Sequence, residues 1–95
     1  MLTSKQRAAL KAMANNIEPI IFVGKAGITD NVIMQAEEAL TARELIKGTV
    51  QQASPMGAAE ALETIAQKTG AQAVQSSGRK FVLYRPRPKD PGIRI

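Results

Sequence analysis

Pro19–Thr29 reads PIIFVGKAGIT, and this stretch decides how the chain folds. Pro19 introduces Ile20, Ile21, Phe22 and Val23, four apolar residues that are all β-branched or aromatic, and such a run reads as a strand. Without polar alternation it predicts burial on both faces, and hence a central strand parallel to a neighbour. Gly24-Lys25-Ala26-Gly27 follows directly. Thr29 then stands where an N-cap belongs, ahead of a helix over 30–42 whose Val32, Ile33, Ala36, Ala39 and Leu40 repeat on one face. Strand, glycine loop and helix start in immediate succession mark an α/β unit.

Upstream, Thr3 and Gln6 have capping-box spacing, and a helix over 4–14 follows with Ala9, Leu10 and Met13 as its apolar stripe. Arg7 and Lys11, four apart, are expected to share its outer face. Asn15 and Asn16 suit the exit. Downstream, Leu45–Val50 reads as a weaker strand in which Gly48 marks a bulge or a loss of rigidity. Ser54 as N-cap and Pro55 at N1 open a third helix, with Ala58, Ala61, Leu62, Ile65 and Ala66 inward and Gly70 as its stop. Residues 71–76 form a strand, Ser77-Gly78 a turn, and Phe81–Arg85 a strong strand. From Pro86, with Pro88 and Pro91 behind it, an extended tail is expected.

The order α-β-α-β-α-β-β predicts a single compact two-layer α/β domain over 1–86, with a basic tail over 87–95. The β-α-β part calls for parallel pairing and the final hairpin for an antiparallel pair, so the sheet is mixed.

Composition narrows the chemistry. The 95 residues suit one domain. They contain no Cys and no His, which removes thiolate and imidazole nucleophiles, bases and zinc ligands. Carboxylate pairs at Glu37 with Glu38 and Glu60 with Glu63 remain, but on helices such pairs are ordinarily solvated surface. Neither catalytic residues, nor a metal, a cofactor or a small-molecule substrate are expected. No apolar run approaches the roughly 18–20 residues that cross a bilayer, and the N-terminus lacks a signal-peptide apolar segment. No membrane role and a soluble, cytoplasmic protein are the expectation.

The net charge of +5 is unevenly placed. Residues 1–77 carry equal numbers of basic and acidic side chains. Residues 78–95 hold Arg79, Lys80, Arg85, Arg87, Lys89 and Arg94 against Asp90 alone. Such a block attracts polyanions and adds counterion release to their binding. Its bland alternative is a solubilising tail.

The Gly24–Gly27 loop supplies the second anion-seeking feature. Two glycines permit positive φ and close approach of a ligand backbone. The first-turn N–H groups of the next helix favour an anion, and Lys25 adds a point charge at the loop tip. Gly-x-x-Gly is also how KH domains clamp nucleic-acid backbone. The loop fits neither the Walker A pattern nor the dinucleotide fingerprint. In the last strand, alternation puts Lys80, Val82 and Tyr84 on one face and Phe81, Leu83 and Arg85 on the other. Phe81 and Leu83 are expected to face the helices, leaving Tyr84 either to stack on a base or to sit half-buried with its hydroxyl in water.

Three segments in register carry a family resemblance: Gly24-Lys25-Ala26-Gly27-Ile28-Thr29, Glu44-Leu45-Ile46-Lys47, and Gly78 to Pro86 with Leu83-Tyr84-Arg85-Pro86. Over roughly residues 2–88 the chain resembles the CRM domain (chloroplast RNA splicing and ribosome maturation), in particular its stand-alone bacterial YhbY form. The resemblance implies a four-stranded mixed sheet similar to the C-terminal domain of translation initiation factor three. It also implies RNA as partner, specifically ribosomal RNA in precursors of the large subunit. Carried over by position, Gly24, Lys25 and Gly27 would form the RNA-binding loop, with Lys47, Arg79, Lys80 and Arg85 as its basic surroundings; Ala26, Thr29 and Tyr84 complete the set of candidate RNA-binding residues. A monomer is expected. The rival reading is a protein-interaction module that docks on ribosomal proteins or a translation factor, which an exposed apolar patch would favour.

Overall fold

The computed structural model describes residues 2–93 and 95. Its elements follow the expected order: α1 (Ser4–Ala14), β1 (Ile21–Val23), α2 (Asp30–Arg43), β2 (Leu45–Val50), α3 (Ala58–Thr69), β3 (Gln72–Ser77) and β4 (Lys80–Tyr84). The strands form one mixed sheet in the order β1-β2-β4-β3. β1 runs parallel to β2, with Ile21 opposite Gly48 and Val23 opposite Val50, while β4 lies antiparallel between β2 and β3.

Alternation along the strands assigns two apolar faces. Ile21, Val23, Ile46, Val50, Phe81 and Leu83 pack against Val32, Ala36 and Leu40 of α2 and Ala61, Leu62 and Ile65 of α3. Each large apolar side chain fully buried there stabilises by about 1.5–3 kcal/mol. The opposite face holds Leu45, Val74, Val82 and Tyr84 beneath Leu10 and Ala14 of α1. The two-layer body of sheet, α2 and α3 is therefore as expected, and α1 adds partial cover on the back of the sheet.

Several local expectations need correction. β1 is an edge strand, not a central one, because among the described residues β2 is its only partner. Ile21 and Val23 are buried, but Phe22 between them is 51 % exposed. A continuous apolar run had concealed an ordinary in-out-in alternation. In α1 the inward face runs through Leu10 and Ala14, so Met13 lies outside the stripe. Arg7 turns inward instead of sharing the outer face with Lys11. Its Nη1 donates to the carbonyls of Ala73 at 2.6 Å and Val74 at 2.8 Å, beside the β-bulge that interrupts β3 between Ala73 and Gln75. The capping box forms as expected, with Thr3 and Gln6 exchanging two 3.0 Å hydrogen bonds.

β2 is regular through Gly48, and the bulge lies in β3 instead. The glycine is needed for packing: a Cβ built there would lie 2.3 Å from Cζ of Phe81, which is completely buried. α3 begins later than expected, with Gly57 as N-cap. Ser54 instead spends its hydroxyl locally, accepting the Met56 N–H at 3.2 Å and donating to the Met56 carbonyl. Gly70 closes α3 in the left-handed conformation, as expected. The β3–β4 turn is Gly78-Arg79, and Gly78 has φ +60°, as a type II′ turn requires at its first position.

The segment after Pro86 does not run on as a free tail. Glu44, at the end of α2, is 1 % exposed and adopts φ +67°. Its carboxylate accepts the backbone N–H groups of Arg87 (3.0 Å), Gly92 (2.7 Å) and Ile93 (3.1 Å), so the chain curls back over it. Arg94 of the basic block lies outside the described residues. Among the described residues, no helix is long and apolar enough to cross a membrane.

Candidate nucleic-acid interface

Because β1 and β2 are parallel and β4 is antiparallel to both its neighbours, Val23, Val50, Ser77 and Lys80 lie at one end of the sheet. Three connections converge there: residues 24–29, residues 51–57 and the Gly78-Arg79 turn. Backbone hydrogen bonds extend the sheet into them, from Gln51 N–H to the Val23 carbonyl (2.8 Å) and from Val50 N–H to the Arg79 carbonyl (2.7 Å). The N-termini of α2 and α3 emerge at the same end.

The Gly24–Gly27 loop is a tight turn closed by the Gly27 N–H on the Gly24 carbonyl at 3.0 Å. Lys25 and Ala26 occupy its exposed tip. Only Gly27 uses positive φ, at +73°, and it is buried against Pro55 and Met56. Gly24 serves space instead, since a Cβ there would meet Gln51 Oε1 at 2.8 Å. The Thr29 hydroxyl caps α2 by accepting the Val32 N–H at 3.2 Å. It therefore positions the helix behind the loop.

The N-terminus of α3 adds a feature that the sequence reading missed. Its N-cap, Gly57, offers no side-chain hydrogen bond, so the first-turn N–H groups lack the cap that α2 has. A hollow of about 160 Å³ opens beside it, lined by Gln51, Ser54, Gly57, Ala58, Gly78 and Arg79. Uncapped amides, a helix dipole and an arginine around one hollow favour an anion such as phosphate. The signal in sequence was the Gly57-Ala58 start, hidden behind the stronger Ser54-Pro55 cue.

The other candidate residues divide. Lys80 is exposed and Lys47 half-buried, and both line a second hollow of about 170 Å³ with Asn15, Gln75, Ser77 and Val82. This lies on the α1 face of the sheet, beyond the end of that helix. Lys47 Nζ donates to the Ile17 carbonyl at 3.4 Å. Tyr84 and Arg85 stand at the far end of the sheet from the loop. Tyr84 is 5 % exposed, and burial, assisted by the Glu44 carboxylate, raises its phenol above the ordinary value of 10.0. It offers no stacking face. Arg85 is a clamp: its Nη1 donates to Glu37 Oε1 and to the Thr69 carbonyl, each at 2.7 Å, and Nη2 to Thr41 Oγ1 at 3.1 Å. The structure thus gathers Gly24, Lys25, Ala26, Gly27, Thr29 and Arg79, with Lys80 and Lys47 around the rim, and leaves Tyr84 and Arg85 apart.

Comparison with known proteins agrees with this frame. The model of the CRS1/YhbY (CRM) domain family matches residues 2–85. A Bacillus subtilis protein named "Probable RNA-binding protein YqeI" is 39 % identical over 95 residues, covering 100 % of this chain and 99 % of that protein. A Haemophilus influenzae protein named "RNA-binding protein" is 36 % identical over 85 residues, covering 90 % of this chain and 86 % of its own. The solution structure of the hypothetical protein SAV1595 from Staphylococcus aureus superposes with a TM-score of 0.83 at 39 % identity, covering 100 % of this chain and 99 % of that one.

Proposed function

The chain belongs to the CRS1/YhbY (CRM) domain family, and from that premise we propose that it is a non-enzymatic RNA-binding protein acting on ribosomal RNA of large-subunit precursors during ribosome assembly. The observation that carries the RNA-binding part is the convergence at one end of the sheet. The 24–27 turn, the uncapped start of α3 and Arg79 all present positive potential or free N–H groups there. Lys25 at the tip and Arg79 beside the hollow would meet phosphate oxygens. The names borne by relatives support RNA as the ligand class. Ribosomal RNA as the target rests on the family resemblance.

Sedimentation of tagged protein in cell extract tests this reading. Co-migration with large-subunit precursors that ribonuclease abolishes is the expected result. Co-migration that survives complete digestion of the RNA would favour docking on ribosomal proteins and overturn it.

A further inference from the structure

The back of the sheet carries a row of side chains that the loop reading leaves unused. Phe22 is registered with Thr49, Thr49 with Lys80, and Lys80 with Ser77, so these four residues cross all four strands in one line. Residues paired across strands point to the same side, and Leu45 on the same strand as Thr49, four residues away, faces α1. The row therefore lies on the α1 face. α1 ends short of it: Ala14 covers the opposite half of the sheet and Asn15 only borders the hollow beside Lys80. Phe22 and Lys80 sit two strands apart, about 10 Å at the usual interstrand spacing.

Phe22 is unusual within this chain. The other two aromatics, Phe81 and Tyr84, are 0 % and 5 % exposed, whereas Phe22 is 51 % exposed on a strand that ends one residue before Gly24. The adjoining hollow presents Lys47, Lys80, Gln75 and Ser77, and no carboxylate lines it. An aromatic face beside a hollow of ammonium and amide groups is complementary to an unpaired nucleotide: the ring stacks on a base, and Lys80 meets a phosphate, while Lys47 also borders a separate hollow with Glu18.

We infer that this row is a platform for single-stranded RNA, with Phe22 stacking on a base next to the phosphate held by the 24–27 loop. This rests on the loop's reading as a phosphate grip and extends it: the ligand is a strand with at least one unpaired base, not a plain duplex. Phe22 takes the stacking role that was one of two alternatives for Tyr84.

Binding of a short oligouridylate and of a blunt RNA duplex, measured by fluorescence anisotropy for wild type, Phe22→Ala, Phe22→Leu, Phe22→Tyr and Lys25→Ala, tests the inference. Wild type is expected to prefer the unpaired strand. Phe22→Ala and Phe22→Leu should each weaken oligouridylate binding about tenfold with the salt slope unchanged, and Phe22→Tyr should restore it. Leu keeps the apolar bulk, so loss in Phe22→Leu separates stacking from mere packing. Wild-type affinity in Phe22→Leu, or equal affinity for strand and duplex, would overturn the platform. If only Lys25→Ala then weakens binding, the loop reading stands without it. No binding of either RNA by wild type would remove both.

Discussion

Glu44 Oε1 accepts the Gly92 N–H at 2.7 Å, across 48 residues of sequence, and thereby folds the C-terminal segment against the end of α2. The Arg87 N–H contributes most to holding this carboxyl below its ordinary value of 4.5, outweighing desolvation, with Gly92, Ile93 and the Arg87 guanidinium adding to it. A depressed carboxylate contributes stability that is present above its unfolded value and lost as pH falls through the folded one. The segment should stay docked at neutral pH and release only as pH falls below 4.5. Amide exchange of Gly92 and Ile93 followed by NMR checks this. Glu44→Gln should loosen both amides already at neutral pH, whereas protection that ignores pH and this substitution would show that Glu44 is not the anchor.

Gly48→Ala forces a methyl group into the Phe81 ring. Overpacking of this kind costs about 1–3 kcal/mol, and a completely buried ring with no room to swing away argues for the upper end. Thermal unfolding should show the loss, and Phe81→Leu in the same chain should recover part of it, giving a coupling energy in the double-mutant cycle.

Arg85→Ala should cost stability, on the order of 1–2 kcal/mol for a half-buried set of charge-assisted hydrogen bonds partly screened by solvent. It should leave the salt dependence of RNA binding as in wild type, because the guanidinium is tied to Glu37, Thr69 and Thr41. A flatter salt slope in this variant would return Arg85 to the RNA contacts.

The local features of this fold are legible in its sequence. The capping box at Thr3, the cap at Thr29, the stop at Gly70 and the hairpin are local, and propensity with turn chemistry reads them directly. The roles of Gly48, Arg7 and Glu44 depend on partners 33, 66 and 48 residues away. No periodicity encodes such pairings. β1 was misplaced for the same reason, since an apolar run does not say how many neighbours a strand will have. In the candidate site, the loop and Arg79 emerge at the same end of the sheet, with β2 between them. Arg85 joins them through the family resemblance and Tyr84 through strand alternation, and neither fixes an end of the sheet.

Gly24→Ala separates fold from ligand approach. Its Cβ would meet only the amide end of Gln51, a flexible side chain that can swing away, and Gly24 has no positive φ to strain. Thermal stability should change by less than about 1 kcal/mol, as is usual where no buried or strained feature is touched. RNA affinity should nevertheless fall, because the added methyl displaces Gln51, which lines the hollow beside Arg79. Gly27→Ala, at φ +73°, should instead cost about 1–2 kcal/mol of stability.

The salt dependence of RNA binding decides whether this end of the sheet grips RNA backbone through Lys25 and Arg79. With Lys25, Arg79 and Lys80 on phosphates, log K should fall against log salt with a slope of about −2 to −3. Lys25→Ala and Arg79→Ala should each weaken binding across RNA sequences and reduce that slope by about one. A wild-type slope near zero, or slopes untouched by both substitutions, would contradict such a grip.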